Sequence, residues 1–110
     1  VGPLHVFTGV VPVDTPDNLR KIGDFLRDKD ESIVAVLAAV RDGKITFHSV
    51  CGKAAIAAGV RAGDIIRSVT AICGGKGGGK PDSAMGGGAD TLKLDDALAT
   101  VDDFVAGKLN

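Results

Sequence analysis

The stretch GGKGGGKPDSAMGGG, residues 74–88, combines glycine and lysine in a pattern that could bind phosphate, since it holds eight of the chain's sixteen glycines. Its first seven residues fit G-x-x-x-x-G-K, the start of a nucleotide-binding phosphate loop. Such a loop needs a serine or threonine next to hold magnesium, but Pro81 has no hydroxyl and no N–H. A phosphate loop also opens a helix, whereas this stretch follows a predicted one. The sequence therefore argues against nucleoside triphosphate binding here.

The histidines, cysteines and serines form no chemical motif either. His48 and Cys51 are three residues apart on a predicted strand, so their side chains point to opposite faces, and no C-x-x-C pair exists. Cys51 and Cys73 are predicted to be buried, reduced thiols. Ser83, like the other serines, has no obvious general base in the sequence. We therefore expect no metal, no cofactor and no catalytic residue in this chain.

Charge is distributed unevenly along the chain, although the formal net charge is only −1. Residues 1–40 carry a balance of −2, residues 41–80 carry +5 and residues 81–110 carry −4. A basic central segment favours a phosphate-bearing partner, because local potential steers encounter. The alternative is that these cations are ordinary solvated side chains.

Aromatic side chains are too few to predict stacking on single-stranded bases. The chain has no Trp and no Tyr, and its four phenylalanines, Phe7, Phe25, Phe47 and Phe104, all fall in predicted core patterns. If the chain binds RNA, we expect it to use backbone charge and shape.

The first half of the chain predicts a strand, a helix and a hairpin. Leu4–Val11 favours a largely buried strand, and Thr15 is suited to cap an amphipathic helix that begins at the next residue, a proline. The apolar run 32–40 favours a central strand. The dipeptide Asp42-Gly43 then predicts a two-residue turn into an antiparallel strand over 45–50.

The second half predicts two further main helices around the glycine-rich stretch. A short alanine-rich turn of helix precedes a longer helix over 62–73, which Gly74 is suited to end. Residues 74–79 are predicted as a helix cap and a loop that approaches other backbone closely. Residues 84–88 are predicted as a strand of small residues, and 94–105 as a closing amphipathic helix.

Together these elements predict a two-layer α/β domain with a mixed four-stranded sheet, a central antiparallel hairpin and three main helices. A length of 110 residues and 45% hydrophobic residues fit a single globular domain, residues 1–110, with residues 74–88 as its glycine-rich loop and short strand. The chain begins at a valine, so we expect a fragment of a longer protein. Without a signal peptide or a membrane-spanning run, we expect it to be cytoplasmic.

The string GGKGGGKPDSAMGGGAD, preceded by GVRAGDIIRSVTAICGG, closely resembles the C-terminal, C-Ala domain of alanyl-tRNA synthetases. The relatives of that domain include the DHH-associated domains of DHH-type phosphoesterases. The resemblance covers roughly residues 32–109. The phosphoesterase relatives usually place a histidine directly after the glycine run, where this chain has Lys80-Pro81, which favours the synthetase. The family often has Arg, Met and Gln where this chain has Lys80, Ser83 and Met85.

The resemblance implies a non-catalytic module that helps an alanine-tRNA ligase hold the outer corner of tRNA(Ala) and links aminoacylation with editing. ATP and zinc would belong to other domains of the same synthetase, and the isolated domain would be a monomer. On this basis we expect five cations to contact phosphates and the glycine backbone to form a flat RNA-facing surface. These residues are Lys53, Arg61, Arg67, Lys76, Lys80, Gly77, Gly78 and Gly79. The alternatives are the substrate-binding domain of a phosphoesterase, or a dimerisation or interaction module.

Overall fold

Strands and helices are interspersed along the chain. The computed structural model describes residues 4–12 and 15–109, so the predicted domain of residues 1–110 extends beyond them at both ends. The strands are β1 (His5–Val10), β2 (Ile33–Arg41), β3 (Lys44–Cys51), β4 (Lys76–Gly79) and β5 (Ser83–Gly88). The helices are α1 (Pro16–Lys29), α2 (Lys53–Ala57), α3 (Ala62–Ile72) and α4 (Leu94–Leu109), and a 3₁₀ turn, Thr91–Lys93, precedes α4.

The five strands form one mixed sheet in the order β1-β2-β3-β5-β4. β1 runs parallel to β2, and the other neighbouring pairs are antiparallel. The predicted α/β class, mixed sheet, central hairpin and three main helices are confirmed, but the predicted number of four strands is wrong. The additional strand is β4, which the sequence predicted as a loop because its lysine and glycines have no strand preference. Its backbone pairing with β5 holds these residues in an extended strand, which their residue types alone do not favour.

Helices cover both faces of the sheet, so the structure has three layers where two were predicted. α1 packs mainly on β2 and β3, whereas α3 packs on β3, β4 and β5 from the other side, next to α4. The two sides are seen on β3, where Phe47 lies in the core under α3 and the adjacent His48 faces α1. The α1 side of β4 and β5 is consequently left more open than the α3 side.

β1 lies at one edge of the sheet and is mostly exposed, so the prediction that it is largely buried is wrong. Phe7 on β1 is 48% exposed and Phe25 on α1 is 60% exposed, which also contradicts the expectation that every phenylalanine is in the core. Phe47 is fully buried and Phe104 packs half-buried against the core, as predicted. Apolar residues alone do not show which strand lies at an edge, because that depends on long-range pairing.

The local signals for turns and caps are confirmed. The Thr15 hydroxyl accepts a hydrogen bond from the Asn18 N–H at 3.2 Å and caps α1. Asp42 and Gly43 both have positive φ angles, of 53° and 75°, as a two-residue hairpin turn of this kind requires. Gly74 has a φ of 69° just beyond α3, which matches its predicted role in ending that helix.

α3 packs directly against the backbone of β4 and β5, because glycine occupies the positions that face it. Gly77 and Gly86 are paired across these two strands. A Cβ atom on Gly86 would lie 2.7 Å from Thr70 Cγ2 and 2.8 Å from Ile66 Cγ2. A Cβ atom on Gly77 would lie 2.5 Å from the Gly86 Cα atom. Since packed atoms do not approach so closely, any larger residue here would push the helix and the strands apart.

On the other face of the sheet, a buried histidine fills the space between β3 and α1. His48 is only 1% exposed, and a Cβ atom on Gly23 of α1 would lie 2.5 Å from its Nδ1 atom. The glycine therefore lets the imidazole ring reach the helix. Burial lowers the pKa of His48 below its usual value of 6.5, because the charged ring loses its hydration in this position.

Replacing Gly86 with alanine is expected to lower the free energy of unfolding by about 1–3 kcal/mol, because the new methyl group would overlap α3. Gly87→Ala is the matched control, since its Cβ atom would approach the Ile45 carbonyl oxygen at an ordinary 3.4 Å. That variant should change stability by no more than about 0.5 kcal/mol, or increase it slightly. Urea denaturation of both variants measures the difference, and equal losses would contradict the close-packing argument.

Acidification is expected to destabilise the fold through His48. The pKa of His48 is lower in the folded than in the unfolded chain, so the neutral ring contributes to the free energy of unfolding. That contribution is complete above pH 6.5 and is lost as the pH falls through the folded-state pKa. NMR titration of the two histidine rings tests this, with His5→Gln to assign the signals. The His48 signal should titrate below pH 6.5, and a midpoint at or above that value would refute the prediction.

Candidate nucleic-acid interface

The five predicted phosphate-binding cations are all exposed and lie on or next to the elements around the glycine strands. Lys53 is the first residue of α2, Arg61 immediately precedes α3 and Arg67 lies within that helix. Lys76 begins β4 and Lys80 follows its end. The predicted backbone surface, Gly77 to Gly79, is part of the same edge strand. These residues do not form one cluster, because they are divided among separate concave surfaces.

The largest of these surfaces is a groove of 570 Å³ between α1 and the strands β4 and β5, which we call the α1 groove. It exists because α1 packs over β2 and β3 and leaves the neighbouring glycine-rich strands open on that side. Its lining residues are Arg20, Asp24, Arg27, Gly78, Gly79, Lys80, Asp82, Ser83, Ala84 and Met85. Three of the predicted residues, Gly78, Gly79 and Lys80, are therefore brought together here.

The other predicted cations lie in two smaller concavities. Arg61 and Arg67 line a cleft of 210 Å³ beside the start of α3, together with Gly79. Lys53 lines a pocket of 360 Å³ that adjoins the α1 groove, since Arg27 and Asp82 contribute to both. Lys76 lines none of the three.

Most of the predicted cations have no internal ion pair with another described residue. Arg67 is bound by Asp64 one helical turn earlier, so its charge is partly neutralised. Within residues 4–12 and 15–109, the other four cations have no carboxylate within 4.0 Å; these are Lys53, Arg61, Lys76 and Lys80. Their charges face solvent and are available to an anionic partner.

Sequence reasoning missed two arginines that form one wall of the α1 groove. The sequence predicts an amphipathic helix here but does not single out Arg20 and Arg27, which lie two turns apart on the same face of α1. Arg27 lies 3.5 Å from Asp24, 3.8 Å from Asp28 and 3.3 Å from Asp82. The Asp82 contact ties α1 to the segment that joins β4 and β5. The i, i+7 spacing of the arginines was the signal that could have identified this wall.

The floor of the α1 groove contains a histidine–serine pair. The Nε2 atom of His48 lies 3.0 Å from the Oγ atom of Ser83, so the structure gives Ser83 a neighbouring imidazole where the sequence showed no obvious base. The sequence could not reveal the pair, because its members lie on different strands, diagonally across the β3–β5 ladder. The neutral ring can accept or donate in this hydrogen bond and thereby orients the hydroxyl.

The two cysteines are buried and are therefore poor nucleophiles and metal ligands. Burial raises the pKa of Cys51 to about 12, and burial likewise raises the pKa of Cys73. Both thiols are free, as predicted. In the described part of the chain no three histidine, cysteine or acidic side chains gather as metal ligands, and no helix there could cross a bilayer.

Comparison with known proteins agrees with this architecture. The DHHA1 domain family matches residues 5–107. The chain is 39% identical over 110 residues to an alanine–tRNA ligase of Alkaliphilus oremlandii, and 42% identical over 105 residues to that of Shouchella clausii. These matches cover 100% and 96% of the chain, which spans 12% of the length of either relative.

A solved structure gives the same result for the fold. The crystal structure of the C-Ala domain from Aquifex aeolicus alanyl-tRNA synthetase is similar, with a TM-score of 0.87 and 31% sequence identity. The similarity covers 94% of this chain and 93% of that one. The chain therefore belongs to the DHHA1 domain family and, within it, to the C-Ala domains of alanyl-tRNA synthetases.

Proposed function

We propose that this chain is the tRNA-binding module of an alanyl-tRNA synthetase. In this role it performs no chemistry itself and needs no cofactor. It holds the outer corner of tRNA(Ala) and connects the aminoacylation and editing domains of the same polypeptide. The observation that carries the proposal is a set of four exposed cations that pair with no described carboxylate, Lys53, Arg61, Lys76 and Lys80, around a strand of glycines.

Unpaired cations suit a folded RNA because its phosphates provide most of the binding free energy. Each lysine or arginine that neutralises a phosphate releases a bound counterion, which favours association at low salt. Cations that are already paired would have to break an internal contact first. The distribution of charge therefore matters more than the net charge of −1.

The glycine strands suit an RNA surface because they present backbone without bulky side chains. Gly78 and Gly79 line the α1 groove, and their strand β4 forms the edge of the sheet. Folded RNA is recognised largely through its shape, phosphates and 2′-hydroxyls. The exposed Phe7 does not alter this proposal, since it lies on β1 at the opposite edge of the sheet.

The relatives support tRNA(Ala) as the RNA, because the two proteins compared above are named alanine–tRNA ligases. They also support the remainder of such an enzyme as the protein partner, since the chain spans 12% of their length. The alternative of a phosphoesterase domain is less well supported, because the similar solved structure is also from a synthetase.

Binding of the 110-residue chain to a tRNA(Ala) transcript is expected to weaken steeply with salt. Replacing Lys53, Arg61, Lys76 and Lys80 together with alanine should weaken binding. It should also reduce the slope of log K against log salt by about 1 for each phosphate that the variant no longer neutralises. Fluorescence anisotropy at several salt concentrations measures both quantities.

The matched control replaces four other lysines with alanine, Lys21, Lys44, Lys93 and Lys108, and so removes the same total charge. This control variant should keep most of the affinity for tRNA(Ala) and most of the slope of log K against log salt. Equal effects in the two quadruple variants would mean that only net charge matters. A wild-type chain that binds no tRNA, or binds unstructured RNA equally well, would overturn the proposed function.

A further inference from the structure

The α1 groove is the largest of the three concavities and carries cations on both of its walls. Arg20 and Arg27 project from α1, and Lys80 follows the end of β4 on the other side. Asp24 and Asp82 are the acidic residues of this groove, so its formal balance is +1. A groove with cations on two sides and small residues on its floor fits an extended phosphodiester chain better than it fits a compact apolar ligand.

Arg27 is held away from such a ligand by its own neighbours. Its side chain is only 25% exposed and is shared among Asp24, Asp28 and Asp82. The contact with Asp82 is the one that crosses the groove, at 3.3 Å between Nη1 and Oδ2. A phosphate entering there would compete with Asp82 for the guanidinium, which is well shaped to bind it.

The His48–Ser83 pair supplies a neutral contact on the floor between these charges. His48 is 1% exposed, so its position is fixed by packing, and its single close side-chain partner among the described residues is the Ser83 hydroxyl at 3.0 Å. A hydroxyl can donate one hydrogen bond and accept two. Ser83 therefore keeps hydrogen-bonding capacity for a ligand after it has bound His48.

We propose that a segment of the RNA sugar–phosphate backbone lies in the α1 groove, where it contacts Arg27 and the Ser83 hydroxyl and displaces Asp82 from Arg27. His48 acts as a positioning residue that orients Ser83. This proposal rests on the proposed function. To the phosphate contacts proposed for the four unpaired cations it adds a contact on the α1 side of the sheet, separate from the cleft that Arg61 lines beside α3.

Two single substitutions with opposite expected effects test the groove, both measured with the tRNA(Ala) transcript. Asp82→Asn should tighten binding by about 2- to 5-fold at low salt, because it removes a negative charge and releases Arg27. Ser83→Ala should weaken binding by about 3- to 10-fold without changing the salt slope, since it removes a hydrogen bond but no charge.

Matched controls separate these effects from general changes in charge or folding. Asp103→Asn makes the same charge change on the exposed side of α4, and Ser68→Ala removes a hydroxyl from α3 on the opposite face of the sheet. Neither should alter affinity by more than about 2-fold. Circular dichroism confirms that each variant is folded. If Ser83→Ala does not fold, Asp82→Asn still decides the test.

The outcomes distinguish this inference from the proposed function. If the wild-type chain binds tRNA but Asp82→Asn weakens binding, or behaves like Asp103→Asn, the groove assignment is wrong and the proposed function stands. If the wild-type chain does not bind tRNA, both are wrong. Tighter binding by Asp82→Asn together with weaker binding by Ser83→Ala supports the groove, because a purely structural role of the Arg27–Asp82 contact gives no gain in affinity.

Discussion

The close packing of α3 on the backbone of β4 and β5 is the contact on which the rest of the structure depends. It is possible only because Gly77 and Gly86 have no side chains between the strands and the helix. Without this contact, β4 would have neither a helix behind it nor a pattern of side chains to hold it in the sheet. The edge that carries Lys76 and the glycine backbone is therefore a product of helix packing more than of strand preference.

The unequal coverage of the two faces leaves a groove beside this packed edge. α3 covers β4 and β5 from one side, whereas α1 packs mainly over β2 and β3 on the other. The uncovered area becomes the α1 groove, whose wall contains Arg27, the residue that also ties α1 to the loop after β4. The same side chain thus supports the fold and lines the groove.

Features that depend on neighbouring residues could be predicted from the sequence, and features that depend on distant pairing could not. The Thr15 cap, the Asp42-Gly43 turn and the end of α3 at Gly74 follow from local backbone requirements. The strand at Lys76–Gly79 and the exposure of β1 follow from sheet order, which no local pattern encodes. Of the residues that line the α1 groove, Lys80 was selected by its charge, but Arg20 and Arg27 were missed. The His48–Ser83 pair could not be predicted because it requires the register of β3 and β5.

The glycine strands also limit how this surface can vary. Gly86 faces α3 and its neighbour Met85 lines the groove, so adjacent positions of one short strand serve the core and the site. A side chain added at Gly77 or Gly86 would meet α3 or the facing strand and would separate the sheet from its helix. The proposed RNA contacts can therefore be adjusted at lining residues such as Lys80 and Asp82, whereas the positions that face α3 must stay small.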